Sequence, residues 1–169
     1  LKVKGKELGA TINELLLASY FYSVYELAGY PKTDKVMISN AIDLRRHMDN
    51  VEDKGFTNHT SWMQCAIPER GRDIFETIQY VVRSSNKFKK DKFMGLYGLP
   101  LLNFGYNILP HAASEEIIKI GYSNPLMAMS NIGILKGADF ALAGHEPTDA
   151  FMSGAVKYKP FVLLTATTY

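Results

Sequence analysis

MISNAIDLRR, residues 37 to 46, decides how the chain is read. Val36, Ile38 and Ile42 alternate with Met37, Ser39 and Ala41, so apolar groups occupy both faces over the length of one strand. That pattern predicts a central strand, covered on both sides. It runs straight into Asp43, Arg45 and Arg46. A buried strand ending this way carries charge to the rim of a sheet, where an arginine can meet a carboxylate or a ligand.

Upstream, Thr11 and Glu14 form a capping box that opens a helix at Ile12, and Gly29 with Pro31 closes it. Leu15, Leu16, Ser19, Tyr20, Ser23, Val24 and Leu27 follow helical spacing, and Leu17, Phe21 and Tyr22 add apolar groups elsewhere, so most sides should be covered. Tyr20, Tyr22 and Tyr25 read as core, with the lining of a binding tunnel as the alternative. Downstream, HMDNVEDKGFTNHT reads as a polar loop and Thr60 to Ile67 as a second strand. In that strand Trp62, Gln64 and Ala66 would face one way and Met63, Cys65 and Ile67 the other. Pro68 ends it, and a helix burying Ile74, Ile78, Val81 and Val82 is expected from Glu69 or Arg70 to about Lys90.

Glycines and prolines interrupt Phe93 to Pro110, which predicts short helical turns, acting as a lid, an interface or a packed connection. Ser114, Glu115 and Glu116 favour a short helix. Met127 to Ile134 and Phe140 to Ala143 read as strands. Asp149 to Tyr158 and Phe161 to Thr168 read as an antiparallel pair turning at Lys159 and Pro160. Helices and strands mix without strict alternation. The expectation is an α/β, two-layer sandwich: an open mixed, mostly antiparallel sheet backed by helices, in a single domain spanning residues 1–169.

The order of these segments resembles the second lobe of the condensation-domain and alcohol acetyltransferase superfamily, whose members share the chloramphenicol acetyltransferase-like fold. The helix TINELLLASYFYSVYELAG followed by ISNAIDLRR carries the resemblance most strongly. GFTNHTSWMQCAIP (55–68), MAMSNIGIL (127–135) and DAFMSGAVKYKPFVLLTATTY (149–169) extend it. It implies an enzyme that transfers an acyl group from a thioester, on coenzyme A or a phosphopantetheine carrier protein, to a hydroxyl or amine. The family's catalytic HHxxxDG motif belongs to the first lobe and does not occur in this sequence. An isolated second lobe is therefore expected to be inert, with the N-terminal lobe of the same enzyme and an acyl-CoA or acyl-carrier protein as its partners. The resemblance makes Arg45 the partner of that motif's aspartate, a role suited to a planar bidentate fork. It also places Asn58 and Asn131 near the channel between lobes, with Tyr20 as a further channel candidate.

Two alternatives accompany this expectation: a non-catalytic binding or scaffold module of the same fold, and a homo-oligomeric acetyltransferase that uses His145. HEPTDA, residues 145 to 150, shares the HxxxD outline through His145 and Asp149, but Pro147 inside it and Ala150 after it favour a turn. His47 and His59 flank an acidic loop without a tight ligand spacing, so no metal site is expected. Cys65, the single cysteine, reads as a buried small hydrophobe, which suits a reducing compartment.

A net charge of +2 gives no basic face, which argues against nucleic acid as a partner, and KFKKDK (87–92) reads as a solvated helix end. No run reaches the ~20 apolar residues of a membrane span, and the N-terminus lacks a secretory pattern, so a cytoplasmic, non-membrane location is expected. The chain starts at Leu1 and stops within PFVLLTATTY, so both ends read as cut from a longer enzyme.

Overall fold

The computed structural model describes residues 1–49, 58–96, 98–122, 127–154 and 162–169. Its helices are α1 (Lys2–Glu7), α2 (Ile12–Leu27), α3 (Ile74–Lys89), α4 (Gly98–Ile108) and α5 (His111–Tyr122). Its strands are β1 (Val36–Asp43), β2 (Thr60–Ile67), β3 (Met127–Ile134) and β4 (Val162–Thr168), hydrogen-bonded in the order β2-β1-β3-β4. The apolar strand β1 is therefore paired on both edges, as its sequence requires.

The register assembles the two faces. Met63, Asn40, Met129 and Leu164 form one row across the sheet, and Ile38 lies beside Cys65 in the next. This face packs against α2 and α3, whose Leu17, Phe21, Val24, Ile78 and Val81 complete a core with Val36, Ile38 and Ile67. On the other face Trp62 and Met37 remain exposed. Ser39 and Ala128, small neighbours in register, are sealed there. Gly154 crosses close to β4, where a Cβ would collide with the Leu163 side chain.

The sheet is open, mixed and backed by helices, as expected. Its directions differ from the expectation, because β1 with β3 and β3 with β4 pair in parallel and β1 with β2 is antiparallel. β3 enters on the side of β1 away from β2 and runs in the same direction as β1, so it is antiparallel to β2, the strand that precedes it in sequence.

Four local readings are corrected. Helix α3 begins at Ile74, because Asp73 caps it by accepting from Glu76 N at 2.9 Å and Gly71, at φ +83°, cannot continue a helix backward. Residues 98–108 form one continuous helix, with Pro100 in its first turn, where a missing N–H costs nothing. Phe140 to Ala143 is no strand. Gly137–Phe140 is a 3₁₀ turn, and Ala143 and Gly144, at φ +50° and +81°, make a two-residue turn between Leu142 and His145. Residues 149–154 are irregular, and the remainder of the expected antiparallel pair's first strand, with its turn, lies outside the described residues.

Helix α2 is fixed by its cap. Thr11 Oγ1 accepts from Glu14 N at 3.3 Å, and Glu14 Oε2 accepts from Thr11 N at 2.7 Å. Glu14 is only 2% exposed, and its other oxygen takes a 2.6 Å bond from Lys89 Nζ at the end of α3. Burial pushes its carboxyl up, but the Lys89 and Thr11 bonds outweigh it and hold the group below the ordinary range. A depressed folded pKa stabilises the protein above the unfolded value, about 4.3, and that contribution is lost as pH falls through the folded one. Glu14→Gln should lower unfolding free energy by roughly 2 kcal/mol at neutral pH. In urea melts the gap to the parent should close as the pH is taken below about 4; a gap that stays constant would remove the ionised carboxylate from the account.

Candidate functional site

Because β1, β3 and β4 are parallel, their C-terminal ends share one edge of the sheet, joined there by the start of antiparallel β2: Asp43 lies opposite Thr60. Beyond β1 the chain tightens into a 3₁₀ turn, Leu44–His47. Asp43 caps it, its Oδ1 accepting from Arg45 N at 3.0 Å and from Arg45 Nη1 at 3.2 Å. The Arg45 side chain is 37% exposed, and its other guanidinium donors meet no acceptor among the described residues. The arginine is thus oriented by its neighbour and left with open hydrogen-bonding sites.

A second segment braces this turn. His47 Nε2 bonds the carbonyl of Met94 at 2.9 Å; since a carbonyl only accepts, Nε2 carries the proton. Ser61 Oγ donates to the Gly95 carbonyl at 2.9 Å. Gly95 adopts φ +85°, and a Cβ there would lie 2.5 Å from Ile42 Cδ1 and 2.9 Å from Leu44 Cδ2. Residues 91–96 therefore strap the end of β1. In the sequence His47 reads as a solvated loop residue; Gly95, set within apolar residues, is the local hint of a close approach.

Asn58 and Asn131 reach the same edge. Asn58 Oδ1 accepts from Thr60 N at 3.0 Å at the start of β2. Asn131 Oδ1 accepts from Gly133 N at 3.1 Å, inside the bulge by which β3 gains one residue over β4. Tyr20 does not join them. It is buried, and its hydroxyl donates to Val162 O at 3.0 Å, at the opposite edge; burial raises its pKa. His145 sits exposed at the corner of the tight turn, and Asp149 is exposed beyond it. Among the described residues no group of three potential metal ligands occurs.

A sheet of this order, backed by α2 and α3 on one face, is an open mixed α/β sandwich with the chloramphenicol acetyltransferase-like fold. The chain is similar to the crystal structure of vinorine synthase, with a TM-score of 0.55 and 16% sequence identity over 92% of this chain. It spans 35% of that protein's length. No family model matches the sequence, and no curated protein does. Among the described residues, no helix is long and apolar enough to cross a membrane.

Cys65 takes no part in the rim. It is fully buried, and burial pushes its thiol up, against a smaller opposing effect of hydrogen bonds from Ser84 and Ser85. The native protein should therefore resist a thiol reagent at neutral pH and react with it stoichiometrically in denaturant, as a colorimetric thiol assay would read. Gly95→Val should loosen the strap, costing roughly 2 kcal/mol through the disfavoured φ and the clash with Ile42. In hydrogen exchange the lost protection should centre on residues 91–96 and the end of β1, while α2 keeps its own.

Proposed function

We propose that this chain is the second lobe of an acyltransferase that moves an acyl group from a thioester, on coenzyme A or a carrier protein, to a hydroxyl or amine. The observation that carries the reading is Arg45: an arginine at the tip of the central strand, aimed by Asp43 and still offering open donors. The likeness in fold to vinorine synthase agrees with it.

In this reading the base that deprotonates the acceptor is the histidine of an HHxxxDG motif outside these residues. Arg45 holds the aspartate of that motif through a bidentate pair and so sets the histidine loop. It is a positioning residue. Asn58 and Asn131, on the same edge, flank the channel by which the thioester arrives. Helices α4 and α5 expose Leu102, Phe104, Tyr106, Ile108 and Ile120, an apolar surface suited to contact with the first lobe.

The test is thiol release from an acyl-CoA, measured for this chain and for the natural polypeptide that carries it. The chain by itself should be inactive. In the full polypeptide Arg45→Ala should lower kcat roughly tenfold or more with little change in KM, since a displaced catalytic group can cost about 100-fold. Arg45→Lys should restore little of it. Turnover by the chain alone that survives His145→Ala would contradict the reading, and so would an Arg45→Ala enzyme of parental rate.

A further inference from the structure

From Phe93 to Ser114 the sequence holds no aspartate, glutamate, lysine or arginine, and within this stretch lies α4. At about 100° per residue, Leu102 and Tyr106 share one side of α4, and Phe104 and Ile108 share nearly the opposite side. Tyr106 is 78% exposed and Phe104 63%, and no described side chain of α4 is buried. A helix that is apolar on two sides belongs in a core or against lipid, not in water. One protein contact, such as that with a first lobe, covers one stripe and leaves the other.

A second feature adjoins it. Immediately upstream stand Lys87, Lys89, Lys90 and Lys92, with Asp91 as the single acid among them. Lys89 is held by Glu14, and Asp91 Oδ1 accepts from Phe93 N at 2.9 Å. Lys87, Lys90 and Lys92 are exposed and have no ion-pair partner among the described residues. Turns closed by Met94 N on Asp91 O, Leu96 N on Phe93 O and Leu99 N on Leu96 O lead from these lysines into α4, so Lys92 stays within about 12 Å of its first residue. Phe93, between the two features, is exposed. The first acids beyond α4, Glu115 and Glu116, share Lys119.

We infer that α4 and the lysines before it form one surface that lies on an anionic lipid membrane, with an apolar stripe of α4 among the upper acyl chains and Lys87, Lys90 and Lys92 at the headgroups. Charge decides for lipid over a protein partner: cations without partners border a patch without acids, and a bilayer of anionic lipid meets both at once. Polar groups that would fix the register of a protein contact are turned inward, since Asn107 Nδ2 donates to Asn103 O at 2.7 Å and to Asn103 Oδ1 at 3.3 Å. Tyr106 remains, a residue suited to headgroup depth. With 11 residues α4 is about 16 Å long, half the hydrocarbon thickness of a bilayer, so it lies on the membrane and does not cross it. The expectation of no membrane contact rested on the lack of a span, which a surface helix does not need. The inference adds a location to the acyl-transfer reading and does not rest on it.

Flotation with vesicles of phosphatidylcholine alone, and of phosphatidylcholine with roughly a third phosphatidylserine, tests it on this chain and on the natural polypeptide that carries it. Both proteins should bind the mixed vesicles about tenfold more tightly than the neutral ones, and less tightly as salt rises. Combining Lys87→Glu, Lys90→Glu and Lys92→Glu should weaken binding by about tenfold or more. One of the pairs Leu102→Ser with Tyr106→Ser, or Phe104→Ser with Ile108→Ser, should do the same and so mark the bilayer side. All these side chains are exposed, and Lys89, which holds Glu14, is left in place, so folding is not at issue. Binding by the isolated chain that the natural polypeptide lacks would assign the patch to a protein contact and overturn the inference. Flotation that the lysine variant leaves unchanged, dimerisation without flotation, or no binding to either vesicle would overturn it as well. Thiol release in solution is a separate readout, so loss of the membrane contact and loss of the acyl-transfer reading are told apart.

Discussion

Pairing on both edges of β1 is the constraint on which the rest of the structure depends. Its antiparallel neighbour fixes Asn40 against Met63, and its parallel neighbour fixes Asn40 against Met129. A slip by one residue in either pairing would turn Ile38 and Val36, both buried, away from α2 and α3. The register that fills the core therefore also decides where the strand stops. Asp43 and Arg45 reach the rim because Val36 and Ile38 cannot leave the interior. The polar Asn40 rides in the same buried row, its Oδ1 without a partner among the described residues, a cost accepted within a strand that is otherwise apolar or small on this face.

What was legible in the sequence is what local chemistry dictates. The capping box of Thr11 and Glu14 marked the start of α2 to the residue, because its signal is a spacing of three. The alternation in β2 sorted Met63, Cys65 and Ile67 from Trp62 and Gln64 for the same kind of reason. Strand direction was not legible. β1 and β3 are parallel through a crossover of many residues, and nothing within MAMSNIGI distinguishes a parallel partner from an antiparallel one. Between 137 and 154 an apolar composition suggested strands, yet Ala143 and Gly144 at positive φ turn the chain back at once, and Leu142 and Phe151 remain exposed. Composition there outweighed turn chemistry that a lone alanine does not advertise.

The rim was legible in part. Arg45 announced itself by standing at the end of a buried strand. Its support did not, since the bond from His47 to the Met94 carbonyl joins residues 47 positions apart. Asn58 and Asn131 each bond a backbone N–H two residues on, local habits of asparagine that place the side chains without assigning them a task. The bond from Arg70 N to the Lys32 carbonyl at the far edge was invisible for a similar reason, since the two residues become neighbours only once β1 and β2 are paired.

The two arginines show how the same side chain is committed differently by its surroundings. Arg70 is desolvated, so its charge must be compensated inside the fold, and Glu26 and the Tyr22 face do this. Arg45 keeps access to water and needs no such compensation; Asp43 reaches it through one oxygen already shared with a backbone N–H. Covering Arg45 with another protein surface would strip its water and leave a guanidinium whose open donors Asp43 alone cannot fill. The least costly cover brings a carboxylate that takes two of those donors at once while Asp43 keeps the backbone N–H. An apolar cover would bury unsatisfied donors, and a cationic one would add repulsion. Any surface that covered Arg45 would on these grounds be least costly if it were acidic, a preference set by the guanidinium itself and independent of any likeness in fold.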